Sequence, residues 1–269
     1  MKVEVLVATM HQSDHHILEK MNIQTDAVVV NQCEKEDYEE INFNGNKIKF
    51  ISRTERGLSR SRNIALENAT GDICIIADED IIYENNYQET IKKAYENLPQ
   101  ADIIVFDIAY DNPQIIEMKF GTEQFKMGLR RAMQVNSVRI TFKLNAILNN
   151  KIIFNSLFGA GSIYSHGEEN IFIKECLKKG LAIYYYPQKI ATVCSTTSTW
   201  FNGYNQKYFF DTGVIYYELF GGTLYLPFAI RLLLRKRKQL KDSTLIQNIT
   251  AIVAGKKEYK RRKRKNEEN

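Results

Sequence analysis

Three consecutive carboxylates, Asp78-Glu79-Asp80, follow directly on the apolar run Ile73-Cys74-Ile75-Ile76-Ala77. Branched apolar residues favour burial, whereas carboxylates cannot be buried without a counter-charge, so the two stretches must meet at the edge of a core. Residues two apart in an extended chain share a face, which sets Asp78 and Asp80 together and turns Glu79 elsewhere. Two carboxylates at the carboxyl end of a strand suit a hard divalent cation that also holds a diphosphate. An isolated Asp-x-Asp also occurs as a solvated acidic turn, so its context decides. A second acidic pair, Glu168-Glu169, follows Gly167 at the start of a helical pattern. There the helix dipole favours the ionised form, while adjacent carboxylates and desolvation oppose it. The residues alone leave that balance open.

The elements that must position these groups alternate in type. Strand signals over residues 3–8, 27–30, 47–51, 72–77 and 102–108 are separated by helical patterns over 15–21, 58–69 and 87–98. Short apolar runs between helices predict a mostly parallel sheet flanked by helices, an α/β architecture. Beyond Asp111-Asn112-Pro113 the rhythm is less regular, with a strand expected at 138–142, a helix from Ile171 onward, and a strand over 181–186 ending at Pro187.

The chain has 269 residues, enough for one large domain with an appendage. Its mean hydropathy of −0.36 argues against a multi-span membrane protein. The N-terminus enters a strand pattern at once, with no signal-peptide pattern. Cys33, Cys74, Cys176 and Cys194 are scattered, without metal-ligand spacing, a usage expected of a reducing cytoplasm. Net charge is +5, but residues 231–269 hold 14 Lys/Arg against 4 Asp/Glu, so the tail carries +10 and residues 1–230 carry −5. A basic tail on an acidic body points to an anionic surface. Neither a Gly-x-Ser-x-Gly elbow nor a Gly-x-x-x-x-Gly-Lys loop occurs, which leaves hydrolase and P-loop readings little support.

In order, the chain shows an N-terminal strand, a second strand ending in polar residues, Gly57-Leu58-Ser59-Arg60-Ser61-Arg62-Asn63, Gly71-Asp72 with an apolar strand, Asp78-Glu79-Asp80, and Gly167-Glu168-Glu169. This series resembles bacterial family-2 glycosyltransferases of the GT-A fold, particularly those of capsule and exopolysaccharide clusters, over roughly residues 1–190. The resemblance implies a GT-A, Rossmann-like catalytic domain over 1–194, with a donor half to about 110 and an acceptor half over 111–194. It implies inverting, hexosyl-type transfer from a nucleotide-sugar with Mn²⁺ or Mg²⁺ as cofactor. By the likeness, Thr9 meets the nucleotide, Arg62 lies near it, Asp78 faces the donor ribose, and Asp80 ligates the metal. Glu169 takes the place of the catalytic base, with Glu168 beside it for acceptor contact. Where the family often has aspartate after the second strand, this chain has Asn31, whose amide offers both donor and acceptor to a base. UDP is the nucleotide expected from the likeness. His166 reads as a surface histidine.

From residue 195 the composition turns aromatic and then basic, so 195–269 is expected to be a helical, membrane-associating extension. Trp200 is the favoured acceptor contact there, since aromatic faces suit sugar rings, although core packing explains such residues equally well. The apolar stretch 224–234 is too short and interrupted to cross a bilayer, and together with the cations to residue 265 it reads as an interfacial segment. The expected protein is thus cytoplasmic and peripheral at the inner membrane face, with a glycan acceptor, carried on lipid, and no nucleic-acid partner. Alternatives are a sugar nucleotidyltransferase, which would normally show glycines near Ala8-Thr9-Met10-His11-Gln12, and a non-enzymatic protein binding nucleic acid or membrane through its basic tail.

Overall fold

In a computed structural model, which describes residues 1–115, 118–194, 203–240 and 243–267, the apolar runs pair into one mixed sheet. Its strands are β1 (Val3–Met10), β2 (Asp26–Gln32), β3 (Asp37–Phe43), β4 (Asn46–Arg53), β5 (Ile73–Asp78), β6 (Ile81–Tyr83), β7 (Ile103–Tyr110), β8 (Phe125–Lys126), β9 (Ile140–Lys143) and β10 (Ile183–Val193). The helices are α1 (Ile17–Lys20), α2 (Leu58–Asn68), α3 (Tyr87–Asn97), α4 (Leu129–Ala132), α5 (Leu144–Asn149), α6 (Glu168–Lys178), α7 (Gln206–Phe220), α8 (Tyr225–Lys236) and α9 (Leu245–Glu267).

The strand order is β3-β4-β2-β1-β5-β9-β7-β10-β6, with β8 on β10. Strands β4, β2, β1 and β5 run parallel, as do β7 and β10, and β9 is inserted antiparallel between β5 and β7. Both faces are covered. Val5, Val7, Ile75 and Ala77 pack on one side, and Leu6, Val28, Cys74 and Ile76 on the other. This two-sided burial is why the central strands read as unbroken apolar runs.

Three expectations need correction. Strand β10 does not stop at Pro187 but continues to Val193, because a register shift against β7 between Tyr186 and Lys189 absorbs the proline. Strand β9 begins at Ile140, since Ser137–Arg139 form a 3₁₀ turn. Strand β3 was not expected at all; it is an edge strand with half-exposed alternation, closed on β4 by a turn at Asn44-Gly45.

The C-terminal helices pack together and against α6 and the loop that precedes it. Phe158, Tyr164 and Ile171 join Val214, Ile215, Leu219 and Tyr259 in one cluster. Helices α7 and α9 cross so closely that a Cβ on Gly213 would lie 2.1 Å from the Ile252 carbonyl oxygen, and one on Gly255 2.1 Å from that of Phe210. Alanine is intrinsically the better helix former by roughly 1 kcal/mol. Gly213→Ala nonetheless destabilises the protein, because the clash is with backbone and parts the helices, at a cost of about 1–3 kcal/mol or more. Denaturant unfolding of the variant measures the difference.

Candidate active site

Parallel register brings the carboxyl ends of β1, β2 and β5 together, where open α/β sheets bind ligands. Ala8 pairs with Asp78, Thr9 with Asn31 and Met10 with Gln32. Glu79 turns away from the two aspartates, back toward β1. Its Oε2 accepts the Thr9 hydroxyl at 2.5 Å and the Met10 N–H at 3.1 Å. Asn31 is buried, accepting the Gln12 N–H at 3.0 Å and donating to the Gln12 carbonyl at 2.9 Å. Thr9, Asn31 and Glu79 thus fix the loop after β1.

Helix α2 is stitched to the loop that precedes α6. Gly57 enters it with φ +124°, a conformation that strains any side chain, and its N–H donates to Gln32 Oε1 at 2.8 Å. The Leu58 N–H donates to the Ala160 carbonyl, and the Ser59 hydroxyl to that of Phe158. The Asn63 side chain exchanges two 2.8 Å bonds with the Phe154 backbone.

One turn into this helix stands Arg62, 2 % exposed. Its Nη2 donates to Asp78 Oδ1 at 2.8 Å and to Ser137 Oγ at 2.9 Å, and its Nη1 donates to Glu168 Oε1 at 3.0 Å. The guanidinium therefore joins the end of β5 to the first turn of α6. Removing one member of such a group leaves buried charge uncompensated, at about 3–5 kcal/mol. Arg62→Met, close in length but uncharged, is expected to lower unfolding stability by about that amount, as read by chemical denaturation at pH 7.

Arg62, Asp78, Ser137, His166, Glu168 and Glu169 line one cavity of about 320 Å³. Grooves of about 680 and 750 Å³ lie on the C-terminal helices, but no carboxylate lines either. Burial, reinforced by Glu168, pushes the Glu169 carboxyl up to about 8, against the weaker opposing pull of its backbone hydrogen bond and Arg62. Desolvation thereby outweighs the position at a helix start. Burial, with Asp78 and Glu79 near, raises Asp80 to about 6. Among the described residues no cluster of three or more His, Cys, Asp or Glu side chains forms a metal cage. Asp78 and Asp80 are the two carboxylates at the end of β5 that could hold an ion, one completed by phosphate oxygens and water rather than by an all-protein cage.

His166 is not a surface histidine. Its ring stacks on Tyr208 at 4.6 Å, and burial lowers its pKa to about 4, keeping it neutral. The chain around it is clamped by α7. The buried Asp211 carboxylate accepts the Ser165 N–H at 3.1 Å and its hydroxyl at 2.9 Å, and also takes a bond from Lys207. Gly167, at φ +90°, lies so close to Ile215 that a Cβ there would approach Cγ2 at 2.8 Å. The structure thus gathers Arg62, Asp78, Glu168 and Glu169, with Asp80 beside them, and leaves Thr9 and Asn31 under the loop after β1. Trp200 lies outside the described residues. Ser137 and Asp211 were not anticipated, because nothing in their local sequence marks them.

The family model for glycosyl transferase family 2 matches residues 11–165. The match spans more than half of the chain, which belongs to this family and has its GT-A fold. Residues 1–349 of S. aureus TarS in complex with UDP-GlcNAc superpose with a TM-score of 0.66 at 16 % identity, covering 93 % of this chain and 79 % of that one. The complex of the same fragment with UDP gives 0.62 at 16 %, over 92 % and 77 %. The longer S. aureus TarS structure gives 0.60 at 16 %, over 87 % of this chain and 42 % of that one. At this identity the likeness is one of fold. Comparison with curated protein sequences gives no match.

Proposed function

We propose that the protein transfers a hexosyl-type sugar, with inversion, from a UDP-sugar to a hydroxyl of a glycan acceptor carried on lipid, in surface-polysaccharide assembly. The observation that carries this reading is the shared guanidinium: Arg62 binds Asp78 and Glu168 at once, so donor-side carboxylates and the acidic first turn of α6 face one cavity. Membership of glycosyl transferase family 2 and a fold shared with a UDP-GlcNAc-bound protein support the donor class.

In this reading Asp80, with Asp78 alongside, holds Mn²⁺ or Mg²⁺. Bound there, the ion supplies a Lewis acid for charge on the departing diphosphate. Asp78 orients the donor ribose. Arg62 pairs with Asp78 and Glu168, while burial and Glu168 raise the proton affinity of Glu169. Glu169 takes the proton of the acceptor hydroxyl as that oxygen attacks opposite the leaving group. Glu168 and, beyond the described residues, Trp200 contact the acceptor, and Thr9 and Asn31 shape the nucleotide side through the loop that they fix. No helix among the described residues is long and apolar enough to cross a membrane. We place the enzyme on the inner face of the cell membrane, held peripherally by residues 224–265.

Calorimetric titration of UDP, with GDP as control, in the presence and absence of Mn²⁺ tests the donor site. Binding of UDP that requires the metal and disappears in Asp80→Ala is the expected result. Absence of binding by either nucleotide under every metal condition would overturn the reading.

A further inference from the structure

Helix α8 carries more apolar surface than its packing uses. Tyr225, Ala229 and Leu233, four residues apart, are buried together with Phe209 and Ile252. Yet Leu224, Phe228 and Leu234 stand 60 %, 45 % and 50 % exposed. With Arg231 their spacing is four, three and three residues, which places them on a common face. Arg231, Arg235, Arg237 and Lys238 line the shallow groove on that face beside Pro227 and Leu234, and α8 contains no acidic residue. The basic half of α9 begins next to this helix, since Lys256 Nζ lies 5.5 Å from the Tyr225 ring centroid. Lys257, Lys260, Arg261, Arg264 and Lys265 beyond it are exposed.

The face narrows its own occupant. A second copy of the chain would bring one cationic rim against another. A polyanion such as RNA would use the cations but leave three large apolar side chains in contact with a polar backbone. An anionic bilayer offers phosphate at the level of the arginines and an apolar layer beneath them. At 12 residues, α8 is about 18 Å long, too short to span and suited to lying in the interface.

We propose that α8 docks this face on an anionic lipid surface, with Leu224, Phe228 and Leu234 entering the acyl boundary and Arg231 and Arg235 at the headgroups. The proposal rests on the transferase reading only for its purpose, which is to bring the cavity to an acceptor carried on lipid. Opposite it, Tyr225, Ala229 and Leu233 bind α8 to the rest of the protein, so the docked face is rigidly linked to the helices that clamp the α6 loop.

Flotation of the full chain tests this, with phosphatidylcholine vesicles and with vesicles containing phosphatidylglycerol. The variants are Leu224→Ser/Leu234→Ser and Arg231→Gln/Arg235→Gln, with Lys260→Gln/Arg261→Gln/Arg264→Gln as the comparison. UDP titration runs alongside as a check on folding. Wild type is expected to float only with the anionic vesicles, and each α8 variant to lose about tenfold in vesicle partition with UDP binding intact. Three results would overturn the proposal: no flotation of wild type, flotation unaltered by both α8 variants but abolished by the α9 triple change, or a wild-type dimer that Leu224→Ser/Leu234→Ser turns into monomer. Vesicle binding without any UDP binding would instead count against the transferase reading and leave the docking face standing.

Discussion

In the proposed reaction, Glu169→Gln lowers turnover of the UDP-sugar by roughly 10²–10⁴-fold, the usual contribution of a positioned general base, while UDP affinity stays at the wild-type value. Glutamine keeps the shape of the side chain and removes its capacity to take a proton. Because burial and Glu168 raise the carboxyl to about 8, wild-type turnover should climb with pH up to that region, and the variant should lack this limb. Stability moves the other way. A folded-state pKa above the ordinary carboxylate value of 4.5 means that the native protein keeps a proton that the unfolded chain has lost. Wild-type stability therefore declines as pH rises from about 4.5 to about 8. Glutamine cannot ionise, so the variant escapes that decline and is the more stable of the two at pH 8. Initial rates and urea unfolding across the same pH series read both effects. A variant with undiminished turnover would remove Glu169 from the base role.

Asp211→Ala is expected to cost about 100-fold in turnover although Asp211 lines no part of the cavity. Its carboxylate is the shared acceptor for the Ser165 N–H, the Ser165 hydroxyl and Lys207, and Ser165 lies four residues before Glu169. Without it the loop loses its anchor to α7, and a displacement of about 1 Å at the reacting groups is enough for an effect of that size. Asp78 and Asp80 are attached through β5, so the proposed metal-dependent UDP binding should persist. Comparing turnover with UDP calorimetry on the same preparation separates loss of positioning from loss of fold. A chain cut after residue 194 should show the same defect, since it lacks Asp211, Tyr208 and Ile215 together.

That dependence was the least legible part of the molecule. The acidic end of β5 reads from sequence because its pattern is local: a buried strand stops at Asp78, and the residues after it are too charged to follow it inward. The strand-helix alternation is legible for the same reason, since a sheet covered on both faces requires uninterrupted apolar runs. Arg62 could be singled out, but not its task of joining Asp78 to Glu168, because its partners lie 16 and 106 positions away. Ser137 joins them from a 3₁₀ turn that has no pattern of its own. The direction of the Glu169 shift depended on burial, which competes with the helix position and has no one-dimensional signature. The aromatic and basic end read as a tail for an anionic surface; its aromatic residues include Tyr208, which packs on His166, and Tyr259, which packs with Phe158 and Tyr164. Strand β3 escaped notice because an edge strand with one half-wet face carries Glu39, Glu40 and Asn42 among its apolar positions.

The antiparallel insertion of β9 has a consequence for how the chain is made. Strands β5 and β7 end by residue 110, yet the strand that joins them comes from residues 140–143. During synthesis the borders of β5 and β7 that face β9, both of them rich in Ile, must wait unpaired until those four residues emerge. Such a non-local closure is slow, and the waiting borders are open to pairing with other nascent chains. Nascent or truncated chains that stop between about residues 110 and 140 are therefore the ones most exposed to aggregation. Arg62 also acquires its Ser137 partner from the 3₁₀ turn only as β9 is threaded in, so the joining of β5 to β7 and one bond of the cavity arrive in the same folding step.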